Sequence, residues 1–259
     1  METKEQQPET QKPKQEFILL IMNCYAYRHK AQFQKKTWLK NLPSQIKYYH
    51  VIGNPNLETQ YVFDDEENIL TVKTNDDYVS LPKKVISAYR ATFERYDFSY
   101  IFKTDDDQFN TTNKFFIKLM ETLTNKNNII HYGGSLINVK TPHYSSYNQI
   151  HPELPKGLII KACRYSSGRF YFLSNNAVID LLKKQNNIND EYFEDYAIGF
   201  HLDMKLKEFM LNILTETYFI DVDNMDDFKA SVVSLNQPTY YRIPQNSTSS
   251  SSNRVGGVL

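Results

Sequence analysis

Apolar and polar positions follow two alternating rhythms along this chain. Phe17–Met22 is a run of six apolar residues, the length and composition of a strand buried on both faces. Ala31–Leu39 places Phe33, Trp38 and Leu39 at helical spacing, and Lys47–Ile52 and Ile69–Val72 return to strand character. In Leu81–Tyr96, Val85, Ile86, Tyr89 and Phe93 recur with helical period, and Pro82 suits a first turn. A strand at Ser99–Lys103, a helix at Asn113–Leu123 and strands at Asn128–Tyr132 and Arg169–Leu173 follow, then a helix at Asn175–Lys184. Strands and helices in alternation predict an α/β fold around a mixed, mostly parallel sheet. Such sheets bind ligands beyond the carboxyl ends of their strands.

The rhythm is lost at both ends. Residues 1–16 are rich in Gln, Glu, Lys and Pro, and the stretch from Gln245 onward is rich in Ser, compositions too polar to build a core. The expected organisation is a flexible segment at 1–16, one domain at 17–225, and an extension and tail at 226–259. With 30 basic and 30 acidic residues the formal net charge is zero, which argues against a dedicated nucleic-acid binder. The apolar run near the start is far shorter than the roughly 20 residues of a membrane span and lacks the flanks of a signal peptide. Two cysteines cannot build a disulfide framework. These features predict a protein without a membrane span, working in the cytoplasm.

The most informative stretch is Lys103-Thr104-Asp105-Asp106-Asp107, where a buried strand runs into three consecutive carboxylates. Their mutual repulsion needs an offset, and a divalent cation bound through carboxylate oxygens supplies one. In extended backbone Asp105 and Asp107 share one face and Asp106 takes the other. The other acidic runs, at 64–67, 76–77 and 226–227, lack a leading strand and read as solvated loops. An EF-hand is excluded, because Phe116 stands where its bidentate Glu belongs.

Glu194-Asp195-Tyr196-Ala197-Ile198-Gly199 is the second carboxylate pair. If Ala197–Phe209 is helical, Asp195 sits at its start, either as a cap or as a general base. Glu194 faces elsewhere and has another task, and Gly199 admits a close neighbour. Arg164–Ser174 reads as a turn before a strand. It is either an ordinary β-turn or a small polar floor for a sugar, with Ser167 and Gly168 against the ring and Tyr165 stacking on it. The histidines show no ligand spacing and read as structural or surface residues. Residues 140–155 read as a plain loop or as a lid on the acceptor side.

These segments, in this order, resemble the β-1,3-glycosyltransferases of the galactosyltransferase and Fringe type, family 31, with the GT-A nucleotide-diphospho-sugar transferase fold. Lys35-Lys36-Thr37-Trp38, Lys103–Asp107, Tyr165–Ser174 and Glu194–Gly199 carry the resemblance, which spans about residues 17–223. It implies Mn²⁺ or Mg²⁺ held by Asp105 and Asp107, with Asp107 the more direct ligand. It implies Asp195 as catalytic base. Asp106, Lys103, Arg28 and Lys30 would lie on the donor side, with Arg28 or Lys30 near the diphosphate. Tyr165, Ser167, Gly168 and Glu194 would form the acceptor pocket. Arg169 stands where the family prefers a small residue. The family's late metal-ligating His has no counterpart, and Asp221 or Asp223 is the candidate replacement. The family's membrane anchor and paired cysteines are missing.

The expected activity is inverting, metal-dependent transfer from a nucleotide-sugar, a UDP-sugar in the simplest case, to a hydroxyl of a glycan, protein or lipid. Two other readings compete. One is a carbohydrate- or nucleotide-binding module without turnover, motivated by Arg169 and the missing His. The other is a two-carboxylate hydrolase.

Overall fold

The structure, a computed structural model, describes residues 11–125, 129–222 and 226. Eight strands form the main sheet: β1 (Phe17–Met22), β2 (Ile46–Gly53), β3 (Tyr61–Asp64), β4 (Ile69–Val72), β5 (Tyr100–Asp105), β7 (Tyr132–Val139), β10 (Cys163–Ser174) and β11 (Met210–Asn212). Two small pairs join β6 (Gln108–Asn110) with β12 (Phe219–Asp221), and β8 (His143–Tyr144) with β9 (Ile159–Ile160). The main sheet runs β11-β7-β10-β5-β1-β2-β4-β3. Pairing is parallel from β5 through β1 and β2 to β4, and for β11 with β7; β10 is antiparallel to both neighbours, and β3 to β4. This is the mixed, mostly parallel sheet that the sequence predicted.

β1 explains why one strand can be wholly apolar. Ile18, Leu20 and Met22 point into one core layer with Val85, Ile86 and Tyr89 of α2 (Leu81–Arg95). Phe17, Leu19 and Ile21 point into the opposite layer with Phe115, Phe116 and Leu119 of α3 (Lys114–Leu123). A central parallel strand covered by helices on both faces has no polar side to show. Each fully buried aliphatic side chain there contributes about 1.5–3 kcal/mol.

Several boundaries differ from those read in the sequence. α1 spans Arg28–Lys36 and gives way after Thr37 to a short 3-10 turn at Trp38–Asn41. β3, β6, β8, β9, β11 and β12 are too short to show a period. β7 begins at Tyr132, where the sequence reading ended its strand. The helix expected at Ala197–Phe209 is α6 (Glu194–His201), and a 3-10 turn at Met204–Lys207 leads into β11. Residues 202–209 are good helix formers, but pairing of β11 with β7 completes the sheet edge and overrides local propensity. α4 (Asn175–Lys183) is capped by Ser174, whose hydroxyl accepts from the Ala177 N–H, and α5 (Gln185–Asn189) follows.

The segment read as a turn at 164–174 is one continuous strand. β10 pairs with β7 through Ser166 and again from Tyr171, so residues 167–170 bulge opposite the single residue Ser135. Wide irregularities of this kind re-aim side chains beside functional sites.

Residues 11–16 run beside Asp97, where Lys14 forms an isolated bridge and the Gln15 N–H donates to the Asp97 carbonyl at 2.9 Å. Residues 1–10 and 227–259 of the expected terminal segments lie outside the described residues.

Candidate active site

A cleft of about 550 Å³ opens at the carboxyl end of β5. It gathers Asp105 from the end of β5 and Asp107 from the β5–β6 turn, Tyr165, Ser167, Gly168 and Arg169 from β10 and its bulge, and Glu194 and Asp195 from the first turn of α6. The β8–β9 hairpin, in the segment read as a loop, contributes His143 and Tyr144 to the wall, with Tyr147 just beyond. The His151 ring stacks on Tyr78 at 3.9 Å and lies nearly parallel to that of Tyr147 at 6.3 Å.

Lys103 organises the floor. Its side chain is fully buried, and its ammonium donates to Glu194 Oε2 at 2.9 Å and to the Gly168 carbonyl at 2.9 Å, and pairs with Asp105 Oδ1 at 2.8 Å. One cation therefore ties the acidic turn, the bulge and the start of α6 together. Glu194 is 5% exposed, and its other oxygen accepts from the Tyr171 hydroxyl, itself 2.6 Å from that of Tyr89. Lys103 and Glu194, assigned to donor and acceptor by the resemblance, are thus partners in one buried pair.

Asp195 does accept backbone N–H groups, as a cap would. Its Oδ1 takes the Tyr196 N–H at 2.7 Å and its Oδ2 the Gly168 N–H at 3.0 Å. Each oxygen keeps a further lone pair. Burial raises its pKa to about 6, and Glu194 adds to the rise against the opposing pull of Lys103 and the two N–H donors. That is a carboxylate poised near neutrality.

The three aspartates separate as expected, although Asp106 and Asp107 lie in a turn rather than in extended backbone. Asp106 points away from the cleft: Asn23 Nδ2 donates to its Oδ2 at 2.7 Å, and Lys30 stands 3.7 Å from its Oδ1. Burial raises Asp106 to about 6 and Asp105 to about 8, with Lys103 opposing the rise at Asp105. Repulsion within the cluster is offset by the chain itself, through Lys103, Lys30, Asn23 and the Gln108 amide, which donates to Asp107 Oδ1 at 3.0 Å. Arg28 lies apart, its guanidinium 4.4 Å from the Tyr25 ring. Neither Arg28, Lys30, Asp106 nor Lys103 lines the cleft.

Asp221 does line it. Antiparallel pairing of β12 with β6 sets Asp221 opposite Gln108, whose amide donates to Asp221 Oδ1 at 2.6 Å as well as to Asp107. The other Asp221 oxygen pairs with Arg169. Asp223 lies outside the described residues.

Three supporting residues escaped the sequence reading. Gln34, fully buried in α1, donates to the carbonyls of Asp106 at 3.0 Å and Gln108 at 2.9 Å. Its own carbonyl accepts from His50 Nε2 at 2.9 Å, and burial lowers the His50 pKa to about 3, so the ring is neutral. A lone Gln among lysines carries no visible signal. Asp76, read as a solvated loop residue, instead binds Lys84 at 2.6 Å and accepts the N–H groups of Gly53 and Tyr25. Its link to Lys84, eight residues away, crosses an irregular segment that has no period. Asp65 of the 64–67 run likewise pairs with Lys47 at 3.6 Å and with Arg95.

Replacing Gln34 with Leu keeps the volume but strands buried carbonyls, a loss of about 1–3 kcal/mol. Urea melts should show that loss, and displacement of the acidic turn should lower transfer as well.

A buried lysine binding two carboxylates thus lies beneath a cleft with Asp195, its pKa raised to about 6, on one wall and an acidic turn on the other. The sequence profile of the galactosyltransferase family matches residues 30–208. The chain belongs to that family and is a glycosyltransferase. No curated protein matches it in sequence. Similar solved structures include 4-diphosphocytidyl-2C-methyl-D-erythritol synthase from Anaerococcus prevotii, 8% identical over 86% of this chain and 97% of that one, with a TM-score of 0.46. Another is 2-C-methyl-D-erythritol 4-phosphate cytidylyltransferase from Francisella tularensis, 13% identical over 84% and 99%, with a TM-score of 0.44. A third is the galactosyltransferase LgtC in complex with donor and acceptor sugar analogs, 10% identical over 86% and 98%, with a TM-score of 0.43. Among the described residues no helix is long and apolar enough to cross a membrane.

Proposed function

We propose that the protein is an inverting, metal-dependent glycosyltransferase of β-1,3 type, taking a sugar from a nucleotide-sugar, UDP-linked in the simplest case, to an acceptor hydroxyl. The observation that carries this reading is the convergence of Asp195 with Asp105 and Asp107 on one cleft.

The donor set suits a divalent ion. Asp105 and Asp107 offer hard oxygen ligands at the cleft, and Mg²⁺-type ions use one or two carboxylates together with substrate phosphates. Among the described residues no group of three His, Cys, Asp or Glu could hold an ion by itself. Bound there, the ion would neutralise charge on the leaving diphosphate.

Asp195 takes the proton of the acceptor hydroxyl as the hydroxyl oxygen attacks the anomeric carbon, and the bond to the diphosphate breaks on the opposite face. The N–H groups of Tyr196 and Gly168 fix the carboxylate, so its orientation costs nothing at the moment of reaction. Lys103 holds the bulge carrying Ser167 and Gly168 against α6, which keeps the acceptor floor in register with the base.

A screen of UDP- and GDP-sugars with Mn²⁺, read by nucleotide release with and without acceptors, tests the reading. Release that depends on acceptor and is abolished by EDTA supports it. Tight donor binding without release or transfer would instead establish a non-catalytic module.

A further inference from the structure

A second cavity, of about 700 Å³, lies where the end of β7 and the start of β10 meet the last turn of α6. Its charge is one-sided. Lys140, Arg164 and Lys207 line it, and no Asp or Glu does. Among the described residues none of the three forms an ion pair within 4 Å. In a chain of zero net charge such a cluster is not a by-product of composition.

Lys207 is the informative member. It is 3% exposed, and its ammonium donates to the Gly199 carbonyl at 2.5 Å. A carbonyl dipole satisfies one donor and leaves the charge without a counter-ion. Burial lowers its pKa; Cys163 opposes the fall, Arg164 and Lys184 add to it, and Asp203 opposes it more weakly. A buried cation among cations is unfavourable unless an anion completes the set.

The cavity is separated from the transfer cleft by a wall of packed aromatic rings, with Tyr196 buried at its centre. Tyr165 and Tyr196 line the cleft and meet edge to face at 5.9 Å. Tyr196 stacks at 5.3 Å on Phe200, one turn further along α6, and Phe200 lines the cavity. Lys161 lies 5.3 Å over the same Phe200 ring and adds a fourth cation at the rim. Aromatic rings offer apolar faces for the faces of sugar rings, and fixed guanidinium and ammonium groups recognise carboxylates and sulfate or phosphate esters.

We propose that this cavity is a subsite for the acidic substituent of an oligosaccharide acceptor whose reacting end lies in the transfer cleft. The assignment rests on the reading of that cleft as a glycosyl-transfer site, and it names the acceptor class as an acidic glycan. Arg164 and Lys140, both exposed, meet the anion at the mouth, and Lys207 supplies fixed positive charge behind them.

The test is direct binding to the full chain, by calorimetry at low salt, of chondroitin 4-sulfate tetrasaccharide, of neutral chitotetraose and of inorganic sulfate. The sulfated tetrasaccharide should bind about tenfold or more tighter than either of the others, the effect of one or more charge-assisted hydrogen bonds. The double variant Arg164→Ala/Lys140→Ala should erase that preference with an unchanged melting temperature. The double variant Lys118→Ala/Lys183→Ala removes two exposed charges elsewhere and should retain it. Equal binding of sulfated and neutral tetrasaccharides overturns the proposal. So does equal weakening by the two double variants, which would mean general attraction rather than a site. Inorganic sulfate binding as tightly as the tetrasaccharide overturns the saccharide assignment. Asp195→Asn separates the two readings: selective binding should persist when transfer is gone. Selective binding in a wild-type protein that transfers to no acceptor would support the subsite and overturn the transfer reading.

Discussion

Replacing Asp195 with Asn is expected to lower the transfer rate by about 10²- to 10⁴-fold, the usual contribution of a positioned general base, while the protein stays folded and still binds donor. The asparagine carbonyl can still accept one of the two N–H groups, so the start of α6 and the bulge keep most of their tether. Stability should move the other way from activity. The native pKa of Asp195, about 6, lies above the ordinary carboxylate value. Its contribution to stability is therefore fully present at acid pH and is lost as pH rises through about 6. The neutral asparagine avoids that loss. Relative to wild type, the melting temperature of the variant should be more favourable at pH 8 than at pH 4. The wild-type rate should fall about tenfold per pH unit below about pH 6, because a protonated base cannot accept the hydroxyl proton. Near-normal transfer by the variant would remove Asp195 from the mechanism.

The second large effect is expected at Lys103. Lys103→Met fills the same space and removes the cation that, among the described residues, pairs with both Glu194 and Asp105. The buried Glu194 carboxylate, Asp105 and the Gly168 carbonyl then face one another without a cation between them. Breaking a buried ion cluster from one side costs about 3–5 kcal/mol, measurable as a shift in the urea midpoint. Without the cation both carboxylates favour their protonated forms. The stability of the variant should therefore be greatest at acid pH and decline as pH rises, and its deficit against wild type should be largest above neutrality. Adding Glu194→Gln should recover part of the loss, because the orphaned charge goes with its partner. A single variant as stable as wild type across pH would show that the three segments are held in register by other contacts.

Both predictions concern groups whose residue types are visible in the sequence and whose partnerships are not. Lys103, Glu194 and Asp195 stand in recognisable motifs, but their separation of 91 and 92 positions hides the contact. The order of strands in the sheet brings them together: β5 lies beside β10, and α6 packs against β10. Gly199 makes the last approach possible. A Cβ there would lie 2.2 Å from Tyr165 Cβ and 2.7 Å from its Cα, so only glycine lets α6 press this closely against the strand. The sequence analysis expected a close neighbour at Gly199, and tertiary structure decided that the neighbour is β10.

The sequence alone determined what local chemistry can dictate. Unbroken apolar runs became central strands, a 3.6-residue period became α2, and a strand running into carboxylates became a cleft edge. Those signals are strong because burial acts on every residue of an element at once. Tertiary structure decided the short edge strands, the bulge at 167–170, the buried lysine beneath three segments, the hidden roles of Gln34 and Asp76, and the cationic cavity behind α6. Each arises from contacts between residues far apart in the chain, where one hydrogen bond or ion pair outweighs local preference and leaves no period to read.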